Sequence, residues 1–257
     1  MKTYTHFVWI IGFVFFACKT PYSVVSNEAS RYKIETSVTD TLTEVEQLLK
    51  PYRDSLNKKM NTVIGIADTD FIKVRPGGSL GLLVVDALFE KAMEFDAQTS
   101  NAICNFGGIR IQELPKGPIT VGKIFELLPF DNELVLLSVK GDILQQWVAL
   151  MDSSGGWPIR KPIRFQKSDD NIKYYNDTIA VEKTNGNLEV QIRRVYIHQD
   201  SLYVIATNDY VANGGDQCSF LKSSKCLHTG LLLRDVMIAY IKKHNKITTI
   251  GQYTIHE

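Results

Sequence analysis

The nine residues Asn208-Asp209-Tyr210-Val211-Ala212-Asn213-Gly214-Gly215-Asp216 follow directly on the apolar run Leu202 to Thr207. The run is rich in β-branched and aromatic residues and predicts a strand. The paired glycines after it allow a sharp turn and close backbone approach. An aromatic six positions before an acid, with the glycine pair between them, can set a ring face and a carboxylate around one small ligand.

Outward from this segment, strand-like runs at Leu134 to Lys140 and Leu188 to His198 alternate with helical stripes. The turn dipeptide Asn185-Gly186 precedes the second of these runs. Leu42, Val45, Leu49, Leu56 and Met60 keep helical spacing behind a capping box at Thr41-Leu42-Thr43-Glu44, and Pro51 is expected to kink or break that helix. A strand follows at Thr62 to Ala67. Ser79 can cap a second helix carrying Leu80, Leu83, Val84, Ala87 and Leu88 on one face. A third helix starts at Asp142 with Ile143, Leu144, Trp147, Val148 and Met151. The last carries Leu233, Val236, Met237, Tyr240 and Ile241, with Lys242, Lys243 and His244 near its negative end. All these stripes are expected to be core, and helices interspersed with strands imply a mixed α/β (α+β) architecture.

Three more loops stand out. Asn105-Phe106-Gly107-Gly108-Ile109-Arg110 joins a glycine turn to an arginine whose planar donor fork suits a phosphate or carboxylate, although a structural turn with a surface arginine has the same appearance. Leu127-Leu128-Pro129-Phe130-Asp131-Asn132 is a proline-stiffened loop ending in an aromatic, an acid and an amide. Ser154-Gly155-Gly156-Trp157-Pro158 is the third. Each of the last two alone reads equally as a turn with a core aromatic.

Composition bounds the rest. The 257 residues are 44% hydrophobic and 22% charged, enough to fill a sizeable core, so disorder is excluded. With 29 Lys+Arg against 28 Asp+Glu, the broad electrostatic attraction that non-specific nucleic-acid binding needs is missing, and no polymeric nucleic acid is expected as partner. Asp209 and Asp216 have the chemistry of metal ligands, but a two-metal hydrolase site needs several convergent His and Asp ligands. His198, His228, His244 and His256 lie in none of the Asp-x-His, Gly-Asn-His or Gly-His-x-His arrangements such a site uses, so no metal or other cofactor is expected in this chain.

Residues 1–17 read as a signal peptide, with Lys2 ahead of an apolar run from Phe7 to Phe16 too short to span a bilayer. Ala17-Cys18 resembles the lipobox of bacterial lipoproteins, which makes Cys18 the acylated mature terminus and residues 18–40 a tether to the membrane. Phe15 is a poor match to the usual Leu of that motif, so ordinary secretion and an uncleaved anchor remain alternatives. Of the other cysteines, Cys104 is expected to be a buried small hydrophobe, and Cys218 and Cys226 are the closer pair for the single internal bridge an exported chain of this kind can form.

Taken together, the four loops resemble the C-terminal domain of the secreted 5'-nucleotidase and UDP-sugar hydrolase family. Its Asn-x-Gly-Gly-Ile-Arg turn, Leu-Pro-Phe loop and Asn-aromatic-x-x-x-Gly-Gly-Asp loop occur here in order between Asn105 and Asp216. Arg75-Pro76-Gly77-Gly78-Ser79-Leu80-Gly81, followed by Asp86-Ala87, resembles its upstream motif. The resemblance implies one multilayer domain over 41–257, with a mixed sheet and packed helices. It also implies that Phe130 and Tyr210 sandwich a nucleobase, that Asp216 accepts the ribose hydroxyls, that Asn105, Asn132 and Gly155 lie near the base edge, and that Arg110 and Arg75 hold the phosphate or ribose side.

Four departures from the family pattern are visible. Tyr210 stands where Phe is usual, Phe106 replaces a glycine and either crowds the pocket or extends its apolar wall, Ser79 replaces a common Asn, and Arg75 sits one position nearer the following helix. In the family a separate N-terminal metallophosphoesterase domain holds two divalent metals, and none of its motifs occurs in this sequence. The resemblance therefore implies a nucleotide-recognition chain that hydrolyses only with a metallophosphoesterase polypeptide supplied in trans, both held on one membrane by lipid. A stand-alone nucleoside-binding lipoprotein and a scaffold with an inactive pocket are the other readings.

Overall fold

The computed structural model describes residues 43–161, 163–168, 171–184 and 187–248. The leader, Cys18, the tether, the first two residues of the expected capping box, the Asn185-Gly186 turn and His256 lie outside them. The chain divides into two units, residues 1–49 and 50–257, and in the first only 43–49 are described.

Helix α1 (Thr43–Met60) contains Pro51, so of the expected kink or break the break does not occur. Proline's fixed φ is compatible with a helix, and its missing N–H removes one hydrogen bond there. Among the described residues of the expected α1 stripe, Val45, Leu49 and Leu56 are exposed and Met60 packs against the core. Spacing reveals that a helix is two-faced, but not whether anything covers the apolar face.

Strands β1 (Val63–Ala67) and β2 (Phe71–Ile72) lead into helix α2 (Gly78–Phe95). Ser79 does not cap α2, which starts one residue earlier behind Gly77. Its hydroxyl instead accepts from Ile72 N–H at 2.8 Å, tying the helix to β2. Next come β3 (Thr99–Ala102), a 3-10 turn at Phe106–Gly108, β4 (Glu113–Leu114), β5 (Gly117–Thr120) and the short α3 (Val121–Leu127). Then follow β6 (Glu133–Lys140), α4 (Gly141–Ser153), and the antiparallel ribbon β7 (Ile163–Ser168), β8 (Asn171–Thr184) and β9 (Asn187–Tyr196). The remainder is β10 (Leu202–Asn208), α5 (Asp209–Ala212), β11 (Lys225–Leu232), α6 (Leu233–His244) and β12 (Lys246–Ile247).

The central sheet has the order β11-β6-β10-β3, antiparallel except for the β10–β3 pair. Alternate residues of β6 enter two different cores. Leu134 and Leu136 join α2, α3 and α6 on one face, whereas Val135, Leu137 and Val139 meet Leu144, Trp147 and Met151 of α4 on the other. A strand buried on both faces reads as a near-continuous apolar run, and Leu134 to Val139 is one, interrupted only by Ser138. A second sheet, β12-β1-β5, extends the first core. The result is a layered, mixed α/β fold.

Cys104 is fully buried, as expected, whereas the suggested bridge does not exist: Cys104, Cys218 and Cys226 are all free thiols. Cys218 is buried in the second core with its thiol 3.8 Å from Asp216 O, while Cys226 lies on β11. Burial, aided by the nearby Asp216 charge, pushes the thiols of Cys104 and Cys218 up to about 12.

Candidate functional site

One end of the central sheet gathers three of the loops. β10 runs parallel to β3 and antiparallel to β6, so the residues after β10 and β3 meet those before β6. A cavity of about 370 Å³ opens there, lined by Asn105, Gly107, Gly108, Arg110, Phe130, Asn132, Tyr210 and Asp216. Its volume falls within the roughly 300–1,000 Å³ usual for small-molecule sites.

The loop after β10 is set by Asn208, a fully buried residue whose side chain caps α5 by accepting Val211 N–H at 2.8 Å. Its amide nitrogen donates to Asn105 Oδ1 at 2.9 Å, and Asn105 Nδ2 in turn donates to Asp216 Oδ2 at 2.7 Å. The Tyr210 hydroxyl donates to the other carboxylate oxygen at 3.0 Å and accepts the Asp216 N–H at 3.3 Å. The Tyr210 ring lies flush on Gly215: a Cβ added there would sit 2.4 Å from the ring, so this position admits only glycine unless the ring moves. Asp209 does not face the cavity; its carboxylate accepts from Glu133 N–H at 3.0 Å and Tyr210 N–H at 2.9 Å, fastening α5 to β6.

Phe130 lines the same cavity. Arg234, at the start of α6, pairs with the Asp131 carboxylate and donates to Phe130 O at 3.3 Å, while Leu233 N–H bonds Asn132 O at 2.9 Å. Phe130 and Tyr210 are each 46% exposed. Arg110 is anchored through its backbone to Leu127 O, bonds Gly107 O at 3.2 Å, and holds its guanidinium carbon 5.6 Å from the Phe130 ring centre.

Six of the eight ligand-contacting residues inferred from the sequence thus share one cavity, and two do not line it. Arg75 donates to Ser154 O at 2.5 Å and Gly156 O at 2.9 Å, so it serves the Ser154-Gly155-Gly156 loop, with its guanidinium carbon 4.2 Å from the Phe106 ring centre. Gly155, at φ +82, packs against the Arg75 side chain, and Gly156, at φ +88, against Pro76. Phe106 is likewise absent from the lining and carries Lys73 at 4.1 Å. Burial, followed by repulsion from Arg110 and Arg75, holds the Lys73 ammonium below its ordinary range. The role of Asn208 was not foreseen, although an Asn three residues ahead of the N–H it caps is a readable signal.

Among the described residues no three His, Cys, Asp or Glu side chains are gathered where they could hold one metal ion, so the residues present do not fit a two-metal centre. A smaller cavity of about 200 Å³ lies beside α2 and α6, but its charges are paired internally: Arg160 with Asp86 at 2.9 Å and His244 with Glu90 at 2.8 Å.

The sequence matches the model of the "5'-nucleotidase, C-terminal domain" family over residues 54–223. It is similar to the trifunctional nucleotide phosphoesterase protein YfkN of Bacillus subtilis, 27% identical over 219 residues, covering 80% of this chain and 14% of that protein. It is 23% identical over 203 residues to the NAD 5'-nucleotidase of Haemophilus influenzae, covering 70% of this chain and 32% of that one. Among solved structures, the 5'-nucleotidase precursor of Thermus thermophilus superposes with a TM-score of 0.62 at 25% identity, over 82% of this chain and 42% of that one. The chain spans less than half the length of each of these relatives. By its sequence over most of the folded part and by the architecture that sequence adopts, the chain belongs to the 5'-nucleotidase C-terminal domain family.

Proposed function

We propose that the chain recognises a nucleotide or nucleoside in the cavity between Phe130 and Tyr210. The observation that carries this reading is a pair of half-exposed aromatic rings lining one cavity together with a carboxylate and an arginine. A heterocycle stacked on such rings gains roughly 1–3 kcal/mol per contact and does so for any base. Asp216 accepts the ribose hydroxyls, Asn105 and Asn132 face the base edge, and Arg110 meets the phosphate with its planar fork. Arg75 and Gly155 act indirectly, through the loop they share. The names of the relatives, a nucleotide phosphoesterase and an NAD 5'-nucleotidase, fit the same ligand class.

Hydrolysis, on this reading, is supplied by a separate metallophosphoesterase polypeptide acting in trans, with both partners held at the membrane after export and acylation at Cys18. Isothermal calorimetry of the full chain with AMP tests the recognition step. Saturable heat at unit stoichiometry without added metal is expected, and the absence of heat with purine and pyrimidine mononucleotides alike contradicts it. Adding the partner with a divalent metal is expected to release phosphate, whereas metal-dependent release by the pure chain alone contradicts the division of labour.

A further inference from the structure

We propose that the Tyr210 hydroxyl determines specificity: it fixes the Asp216 carboxylate as a two-point acceptor for a vicinal diol, so the cavity selects ligands carrying both ribose hydroxyls. This rests on the nucleotide reading above. A side-chain carboxylate turns about its Cβ–Cγ bond unless both oxygens are held, and here both are, Oδ2 by Asn105 Nδ2 at 2.7 Å and Oδ1 by the Tyr210 hydroxyl at 3.0 Å. An ionised carboxylate oxygen accepts at about two sites. Each oxygen therefore keeps one for a ligand, and two acceptors fixed side by side match two hydroxyls on adjacent carbons.

The proton direction is set as well. Tyr210 Oη accepts the Asp216 N–H at 3.3 Å, which leaves its own hydrogen for Oδ1. Asp216 and Gln217 stand at φ 48 and 68, where side-chain-bearing residues are uncommon, and the two hydrogen bonds between Tyr210 and Asp216 close a ring that holds this turn. The Tyr210 ring cannot settle closer to the turn because Gly215 already lies against it. Removing the hydroxyl leaves the stacking face in place but frees Oδ1, so the carboxylate pivots on its single remaining bond to Asn105. Tyr210 is thus a positioning residue for Asp216 as well as a wall of the cavity.

The test is calorimetry of wild type and Tyr210→Phe, each with AMP and with 2',3'-dideoxy-AMP, which lacks both hydroxyls. Phe is the residue usual in the family at this place, and an unchanged thermal midpoint verifies the fold. Wild type is expected to favour AMP by at least about tenfold, and Tyr210→Phe to lose about five- to tenfold in AMP affinity while dideoxy-AMP binding stays within about twofold. Equal weakening of both ligands reduces the hydroxyl to a support for the ring and overturns the inference, as does an unchanged preference or a gain in AMP affinity. Wild type that binds neither ligand overturns the nucleotide reading itself.

Discussion

Asn208 Nδ2 lies 2.9 Å from Asn105 Oδ1, and both residues are buried, so one amide orients the other toward Asp216. This contact links the cap of a short helix to the acid lining the cavity. Replacing Asn208 by Ala removes the cap, typically about 1 kcal/mol, and strands a buried carbonyl oxygen, about 1–3 kcal/mol more. A loss of about 2–4 kcal/mol in urea-unfolding free energy is expected, together with weaker ligand binding; full stability retained would show that the amide chain holds nothing.

Gly215→Ala places a methyl where the Tyr210 ring now lies. Because that ring is at the surface, the cost is expected to fall on binding more than on folding: at least about tenfold weaker AMP affinity, with a stability change of about 1 kcal/mol or less. Unaltered affinity would mean the ring position is immaterial.

The two arginines should separate by ligand. Arg110 lines the cavity, so Arg110→Ala is expected to weaken AMP by about tenfold while leaving adenosine nearly unchanged, since only AMP carries the phosphate. Arg75 holds two carbonyl oxygens of the Gly155 loop, so Arg75→Ala is expected to lower the melting midpoint without altering the ratio of AMP to adenosine affinity. Binding of both ligands by both variants, compared by calorimetry, checks this.

A pH effect follows from Glu133. Hydrogen bonds from His228 and from Gly230 N–H hold its carboxyl below the ordinary carboxylate range. A carboxyl depressed in the folded state stabilises the fold above the unfolded value, and that stabilisation is lost as pH falls through the folded value. Wild type should therefore exceed Glu133→Gln in stability at neutral pH, with the gap shrinking below about pH 4. Urea melts at both conditions measure it, and a gap that does not change with pH would contradict the assignment.

What the sequence disclosed and concealed has physical causes. Leu134 to Val139 on β6 was readable because both its faces are buried, and the stripes of α4 and α6 because each keeps one face to the core over three turns. The seven residues of α3 are too few to show a period. β3 reads as polar, yet Asn101 is buried because its amide takes both a donor and an acceptor role with the backbone of Lys161, at 2.8 and 2.9 Å. The pair Gly107-Gly108 and the two aromatics Phe130 and Tyr210 line the cavity, as their motifs suggested. Only the folded chain shows that Arg75 turns to a neighbouring loop, since spacing carries no information about which carbonyls a guanidinium will meet.

The central claim is that two exposed rings grip a base. Phe130 and Tyr210 are each 46% exposed, so the double variant Phe130→Ala/Tyr210→Ala should still fold, with a melting midpoint lowered by the loss of the two Tyr210–Asp216 hydrogen bonds. Calorimetric titration with AMP, beside wild type at the same concentration, is the direct measurement. The expected result is a loss of about thirtyfold or more, two stacks at roughly 1–3 kcal/mol each, whereas a folded double variant binding AMP as tightly as wild type would contradict the account.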